Sequence, residues 1–383
     1  MSGENRIVFI DKLRAIATIF VLLGHFCFVF WYNNAAVASL LHIEERGDII
    51  LTIPRIYGDI AVATEEAKIN LGMIGVGLFF LISGFVIPYS VKNRGGGSYK
   101  ILFLIKRFLR IWPVYIVGFG VTFVSLEIYG RVMSGDWLFS VKDYLLQASL
   151  LRDFFEIPSL DGISWTLEIE LKFYILFFIL YILKCEDNPK VITGIAVVVL
   201  IIQVLWNDAN ANAIYLLGEK YYFFGCVFVN ASMYMIFILM GLSLYQLYSS
   251  KWDLKIWAVV EQVLLVCFLA AIPHSSLEPL RDKIIINYGI SLALFLNMYM
   301  LRRTVTHNKV TKFFADNSFS IYILHGVNGY ILLTIFYDVG IPMYINLSLV
   351  IMIVLTVSWL FHQYVEKPIG QLAKKYIIAR FEK

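Results

Sequence analysis

The chain has 383 residues, 60% of them hydrophobic and 16% charged, with a mean hydropathy of +0.75. That balance excludes an ordinary soluble domain, whose wetted surface needs far more charge. A formal net charge of +4 is too small to indicate a nucleic-acid partner, so none is expected.

A hydrocarbon core about 30 Å thick asks for roughly 20 apolar residues per helix. Ten segments meet that need, near 10–31, 71–91, 111–130, 164–184, 190–206, 224–248, 256–272, 284–301, 317–337 and 343–365. The expected fold is an all-α, polytopic membrane bundle of about ten transmembrane helices. A single domain covers 1–370, followed by a short basic tail, 371–383. The fifth and seventh segments are short. The sixth sits in "YYFFGCVFVNASMYMIFILMGLSLYQLY", long enough to begin with a re-entrant or interfacial piece. Most Lys and Arg collect on one side if both termini are cytoplasmic, and that bias sets the orientation. Two outer loops, 32–70 and 131–163, are long enough to fold over the outer mouth, and "KNRGGGSYK" (92–100) reads as a flexible cytoplasmic turn. Cys27, Cys185, Cys226 and Cys267 are far apart and mostly within apolar runs. They have neither metal-ligand nor disulfide spacing, so they read as packing residues and no metal is expected. No cleavable signal peptide and no internal repeat is evident.

The first segment contains "DKLRAIATIFVLLGHF" (11–26), with charge where lipid would oppose it. From Arg14 to His25 is eleven steps. At about 100° per residue they end roughly 20° past three full turns, about 16 Å along the axis. The two side chains therefore share a face, with Asp11 and Thr18 close to the same stripe. That stripe must face protein or water. Arginine grips phosphate as a fork, and histidine can take and return a proton near neutral pH. An anion grip at the cytoplasmic door with a base deeper inside would suit a long cofactor such as coenzyme A. A hydrogen-bonded structural histidine is the plainer alternative.

Further along, Gly75, Gly77, Ser83 and Gly84 thin the second helix, for close packing or for passage of an acyl-pantetheine arm. Arg107 and Arg110, three apart, share a face at the cytoplasmic boundary. They can hold phosphates with Arg14 or simply follow the positive-inside rule. Glu170, Phe173 and Tyr174 share a face; Glu170 could orient His25 or an acceptor hydroxyl, or sit in a buried ion pair. Trp165 falls near the outer boundary, where aromatic belts lie. His325 lies in the ninth segment, able to line a cofactor tunnel or to bond a backbone carbonyl. Glu366 reads as half of a clamp with an arginine, and Glu261 as a buried group with a hydrogen bond.

These residues resemble the family-3 membrane acyltransferases, acyl-CoA-dependent O-acyltransferases of bacterial envelopes. The family's first helix carries an arginine, ten residues and a histidine, as "LRAIATIFVLLGH" does. "GVGLFFLISGFVIP", "RFLRIWPVY", "SWTLEIELKFYI", "SFSIYILHGV" and "VEKPI" are similar to its later motifs, in order and over nearly the whole chain. Leu171 departs from the pattern, because the family often has a second acid after the one matching Glu170. The chain resembles stand-alone members that lack an esterase-like domain.

The resemblance implies an acyltransferase of the bacterial cytoplasmic (inner) membrane. It would move an acyl group, acetyl first, from cytoplasmic acetyl-CoA to a hydroxyl of an envelope carbohydrate such as O-antigen, capsule or exopolysaccharide. His25 and Glu170 are assigned to catalysis, with His25 as base or acyl carrier. Arg14, Arg107, Arg110, Ser83 and His325 are assigned to acyl-CoA, and Tyr174, Trp165 and Asp11 to the acceptor. The competing expectation is a transporter or flippase for a lipid-linked glycan, although the paired broken helices of such proteins are not evident.

Overall fold

The computed structural model describes residues 7–47, 49–91, 97–134, 139–152, 159–209, 219–275, 277–306 and 308–378. Among them there are helices, turns and loops and no strand, as lipid requires of a chain that must satisfy its backbone internally. In chain order the helices are α1 (Val8–Tyr32), α2 (Asn34–Leu41), α3 (Arg55–Glu66), α4 (Leu71–Val91), α5 (Gly97–Ser134), α6 (Val141–Ala148), α7 (Trp165–Leu183), α8 (Pro189–Ala209), α9 (Glu219–Tyr248), α10 (Leu254–Ala271), α11 (Arg281–Met300), α12 (Lys309–Asp338) and α13 (Met343–Phe361).

All ten expected spans fall on helices, and the chain is a polytopic helical membrane protein. Seven described helices are long and apolar enough to cross a bilayer unaided, and Pro189–Leu205 and Ser232–Tyr248 are shorter apolar stretches. The remaining one, α7, carries Glu168, Glu170 and Lys172. Glu168 is buried there in an ion pair with Arg152, 2.9 Å away, which keeps its charge from lipid.

Some boundaries differ from expectation. Helix α5 starts at Gly97, well before the expected span at 111, and carries Arg107 and Arg110 on a helix as expected. Only 97–100 of the expected glycine-rich turn is described, and it is helical; 92–96 lie outside the described residues. Helix α9 is continuous from Glu219 to Tyr248, and its apolar stretch is Ser232–Tyr248. The tail is helical to Ile378, and 379–383 lie outside the described residues.

Side-chain pairs fix the directions of the helices. Phe9 meets Phe85 and Gly24 abuts Gly72, so α1 and α4 are antiparallel. His25 meets His325 and Trp31 meets Tyr337, so α1 and α12 are parallel. Ser320 reaches Glu366 and Asn346 reaches Leu333, so α13 returns antiparallel to α12. The start of α1 and the end of α13 thus lie at one end of the bundle, called here the Val8 end; the other is the Tyr32 end.

Helix α4 is the axis of the packing. Its backbone touches that of α9, because a Cβ at Gly84 would collide with the Ile238 carbonyl, and one at Gly241 with the Leu81 carbonyl. Gly75 is closed off by Val21 and the Ala17 carbonyl. Gly75 and Gly84 of α4 therefore serve helix contact, which in lipid comes from close packing and hydrogen bonds more than from water exclusion. Cross-helix bonds add to it: Ser291 Oγ donates to the Ile74 carbonyl (2.9 Å), and Asn328 Nδ2 to Thr122 Oγ1 (2.8 Å).

The outer loops are strapped down. Arg46 grips Asp338 with two bonds of 2.9 and 2.7 Å, and Lys283 holds Glu65 at 2.6 Å. The loop expected over the mouth at 131–163 instead sends 159–164 into the bundle, where the Asp161 carbonyl lies against Gly326. The buried Asp161 carboxylate makes that possible. It accepts from the backbone of Ile163 and Ser164 and from the hydroxyls of Ser159 and Tyr115, at 3.0 to 3.1 Å. Irregular backbone at such depth survives only when its polar groups are satisfied by protein.

Candidate active site

A cavity open to the surface lies among α1, α4, α5, α7 and α12, about 820 Å³ of empty space counting the solvent at its mouth. Its lining on α4 runs from Val76 to Ile87, about 16 Å of helix. Arg14 from α1, Arg107 and Arg110 from α5, Ser83 from α4, and Glu170 and Tyr174 from α7 all face it. Six residues distant in sequence thus converge on one space.

The polar groups there are organised. Glu170 accepts from Ser83 Oγ at 2.9 Å and from the Tyr174 hydroxyl through a short bond. Arg107 is buried. It donates to Ser90 Oγ at 2.6 Å and lies over the rings of Phe103 and Tyr174, each 5.6 Å from the guanidinium carbon. Those contacts hold its fork in one orientation. Arg14 is braced by Asp11, one turn earlier, at 3.3 Å. Three permanently charged guanidiniums face one carboxylate, so the cavity favours an anion with several oxygens.

Toward the Tyr32 end the cavity is closed by Phe79 and Tyr322, whose rings meet edge to face at 6.0 Å. Both also line a second space, a packing gap too narrow for a water molecule, shared with Thr18, Val21, Leu22, Ile321 and His325. Beside it stand two histidines, with ring centroids of His25 and His325 4.8 Å apart and planes at 83°. His25 Nδ1 lies 2.7 Å from the Tyr330 hydroxyl. His325 is fully buried, and its Nδ1 faces the carbonyls of Ile321 (3.1 Å) and Tyr322 (2.8 Å).

Several sequence-derived placements need correction. Glu170 does not orient His25: its hydrogen bonds go to Ser83 and Tyr174, and the Nδ1 partner of His25 is Tyr330. His325 does not line the large cavity. It sits beyond the Phe79–Tyr322 constriction, held by backbone carbonyls of its own helix. Trp165 packs on Phe80 (6.3 Å) and Tyr234 (5.5 Å) instead of facing the cavity. Asp11, assigned to the acceptor, braces Arg14. Among the described residues Glu366 bonds Ser320 (2.6 Å) and His362 (2.8 Å) and pairs with no arginine. Glu261 accepts from Ser243. The stripe through Arg14, Thr18 and His25 does turn inward, toward α4 and α12.

Tyr322 and Tyr330, not singled out in the sequence, and Phe79, which reads there as bundle packing, border the site. Tyr322 stands three residues before His325 and so shares its helix face, the one signal available for it. The π-helical turn Gly24–Val29 begins beside His25; such turns cluster at functional sites.

A sequence profile described as "Acyltransferase domain", family 3, matches residues 7–363. The chain belongs to this acyltransferase family. Among curated relatives it is similar to "Acyltransferase MdmB" of Streptomyces mycarofaciens, 33% identical over 155 residues, covering 39% of this chain and 37% of that protein. It is also similar to "Nodulation protein 10" of Rhizobium leguminosarum bv. viciae, 32% identical over 117 residues, 26% of this chain and 31% of that one. A third is "Peptidoglycan O-acetyltransferase OatA" of Listeria monocytogenes, 28% identical over 149 residues, 35% of this chain and 24% of that one. The matches thus span between about a quarter and two fifths of each relative's length. No solved structure matches. For a family-3 acyltransferase, the arginine-walled cavity and the histidine pair are the two places where donor and chemistry can be sought.

Proposed function

We propose that this family-3 acyltransferase moves an acyl group, most simply acetyl, from acyl-CoA to a hydroxyl of an envelope carbohydrate. The observation that carries the proposal is the convergence of Arg14, Arg107 and Arg110 on one cavity. The diphosphate and ribose phosphate of coenzyme A supply the oxygens that such a set of forks recognises. The positive-inside bias makes the Val8 end cytoplasmic, so the donor enters there, in a bacterial inner membrane. The pantetheine arm then runs along α4 toward Phe79 and Tyr322. His25, near the Tyr32 end, acts on the acyl group as base or as carrier. Its position suits an acceptor arriving from the outer side beneath 32–70. The similarity to a peptidoglycan O-acetyltransferase supports a hydroxyl of a carbohydrate as acceptor.

The test is a calorimetric titration of purified protein in detergent with coenzyme A. Each lost charge-assisted contact costs about 1.5–3 kcal/mol, so Arg14→Ala and Arg110→Ala should each weaken binding roughly 10- to 100-fold. Unchanged affinity in both variants removes the donor from this cavity.

A further inference from the structure

We infer that His325 is a second catalytic residue, the base that takes the acceptor hydroxyl's proton at Nε2, and that His25 is thereby left to carry the acyl group. This rests on the acyl-transfer reading above and divides the labour within it.

The tautomer of His325 is fixed by its surroundings. Nδ1 faces the carbonyls of Ile321 and Tyr322. Carbonyls only accept, so Nδ1 carries the proton and Nε2 of the neutral ring holds the lone pair. That nitrogen points away from its own helix backbone and is fully buried. Among the described residues it has no hydrogen-bond partner. A buried acceptor without a partner is costly and rare in a finished structure, and this one lies on the small space next to His25. An imidazole oriented through one nitrogen, with the lone pair of the other left unpaired, is the arrangement that a general base needs. His25 differs: its Nδ1 is engaged by a hydroxyl that can either donate or accept, so its tautomer is not pinned in the same way.

The steps balance. A ring nitrogen of His25 attacks the thioester carbonyl; the N–C bond forms, the C–S bond breaks, and the proton on the other ring nitrogen passes to the thiolate as coenzyme A leaves. The acceptor oxygen then attacks the acyl carbon while its proton goes to His325 Nε2; the O–C bond forms and the N–C bond breaks. His325 returns that proton to His25, and both rings are neutral again. The two rings meet edge to face, with centroids 4.8 Å apart, so carrier and base stand side by side.

The choice of variant follows from α12 itself. Asn317 and Asn328 already donate to the carbonyls of Phe313 (2.7 Å) and Leu324 (3.1 Å), four residues earlier. His325→Asn therefore keeps the Nδ1-like donor and removes only the base; His325→Gln is the second variant. Each purified protein is mixed with radiolabelled acetyl-CoA and an oligosaccharide acceptor and denatured rapidly near neutral pH, where an acyl-imidazole outlasts the separation, with coenzyme A affinity as the check on folding. The expected result is turnover about 10²- to 10⁴-fold lower, unchanged coenzyme affinity, and label retained on the protein at His25; His25→Ala should retain none. Wild-type turnover in both His325 variants overturns the inference. So does lost turnover with intact coenzyme binding and no retained label, which would mean direct transfer. Wild-type protein that binds the coenzyme yet neither holds nor transfers label would overturn the acyl-transfer reading and this inference together.

Discussion

Arg14 and His25 share a face of α1 but serve opposite ends of the site. Arg14, braced by Asp11, looks into the large cavity, whereas His25 rests between His325 and Tyr330. Tyr330→Phe removes only the hydroxyl beside His25. A single neutral hydrogen bond is worth about 0.5–1.5 kcal/mol net, so turnover should fall by up to about tenfold with coenzyme affinity unchanged, as initial rates and a titration would show. A loss of coenzyme binding instead would mean that the histidine pair and the arginine cavity are one space. The spacing of Arg14 and His25, and of Arg107 and Arg110, was legible because a single helix fixes both. The partner of His25 was not, because Tyr330 lies 305 residues away and only the parallel packing of α1 on α12 brings it close. The same holds for Glu170: its bond to Ser83 crosses 87 residues, and nothing in "SWTLEIELKFYI" announces it.

At the scale of helices, α4 decides how close its neighbours come and where the passage narrows. Gly84 and Gly241 let α4 and α9 touch backbone to backbone. Gly241→Leu would force them apart, at a cost of at least about 1–3 kcal/mol, read as a lower midpoint of thermal unfolding in detergent; an unchanged midpoint would show that the contact is dispensable. The Phe79–Tyr322 pair separates the two spaces. Phe79→Ala should widen that point and admit longer acyl chains. A methylene of fit is worth about 1–3 kcal/mol in discrimination, so the kcat/KM ratio of butyryl- to acetyl-CoA should rise at least tenfold. An unaltered ratio would place acyl selection elsewhere. Hydrophobic length made the ten spans legible, but the insertion of 159–164 was hidden. "SLDGIS" has the composition of an ordinary loop, and only the converging donors around Asp161 explain how it enters the bundle.

Across the whole molecule, both ends of the domain gather at the Val8 end, and the loops at the Tyr32 end are pinned by Arg46–Asp338 and Lys283–Glu65. The orientation can be tested with single cysteines in a cysteine-free background. Asp59→Cys on the exposed face of α3 should react with an impermeant maleimide in intact spheroplasts, and Lys255→Cys only after permeabilisation. The reverse pattern would turn the account upside down. The central claim, however, concerns chemistry at α1. It is tested most directly by presenting His25→Ala, in native membranes, with labelled acetyl-CoA and endogenous carbohydrate. The account predicts that coenzyme A still binds while label transfer disappears; transfer at the wild-type rate would contradict it.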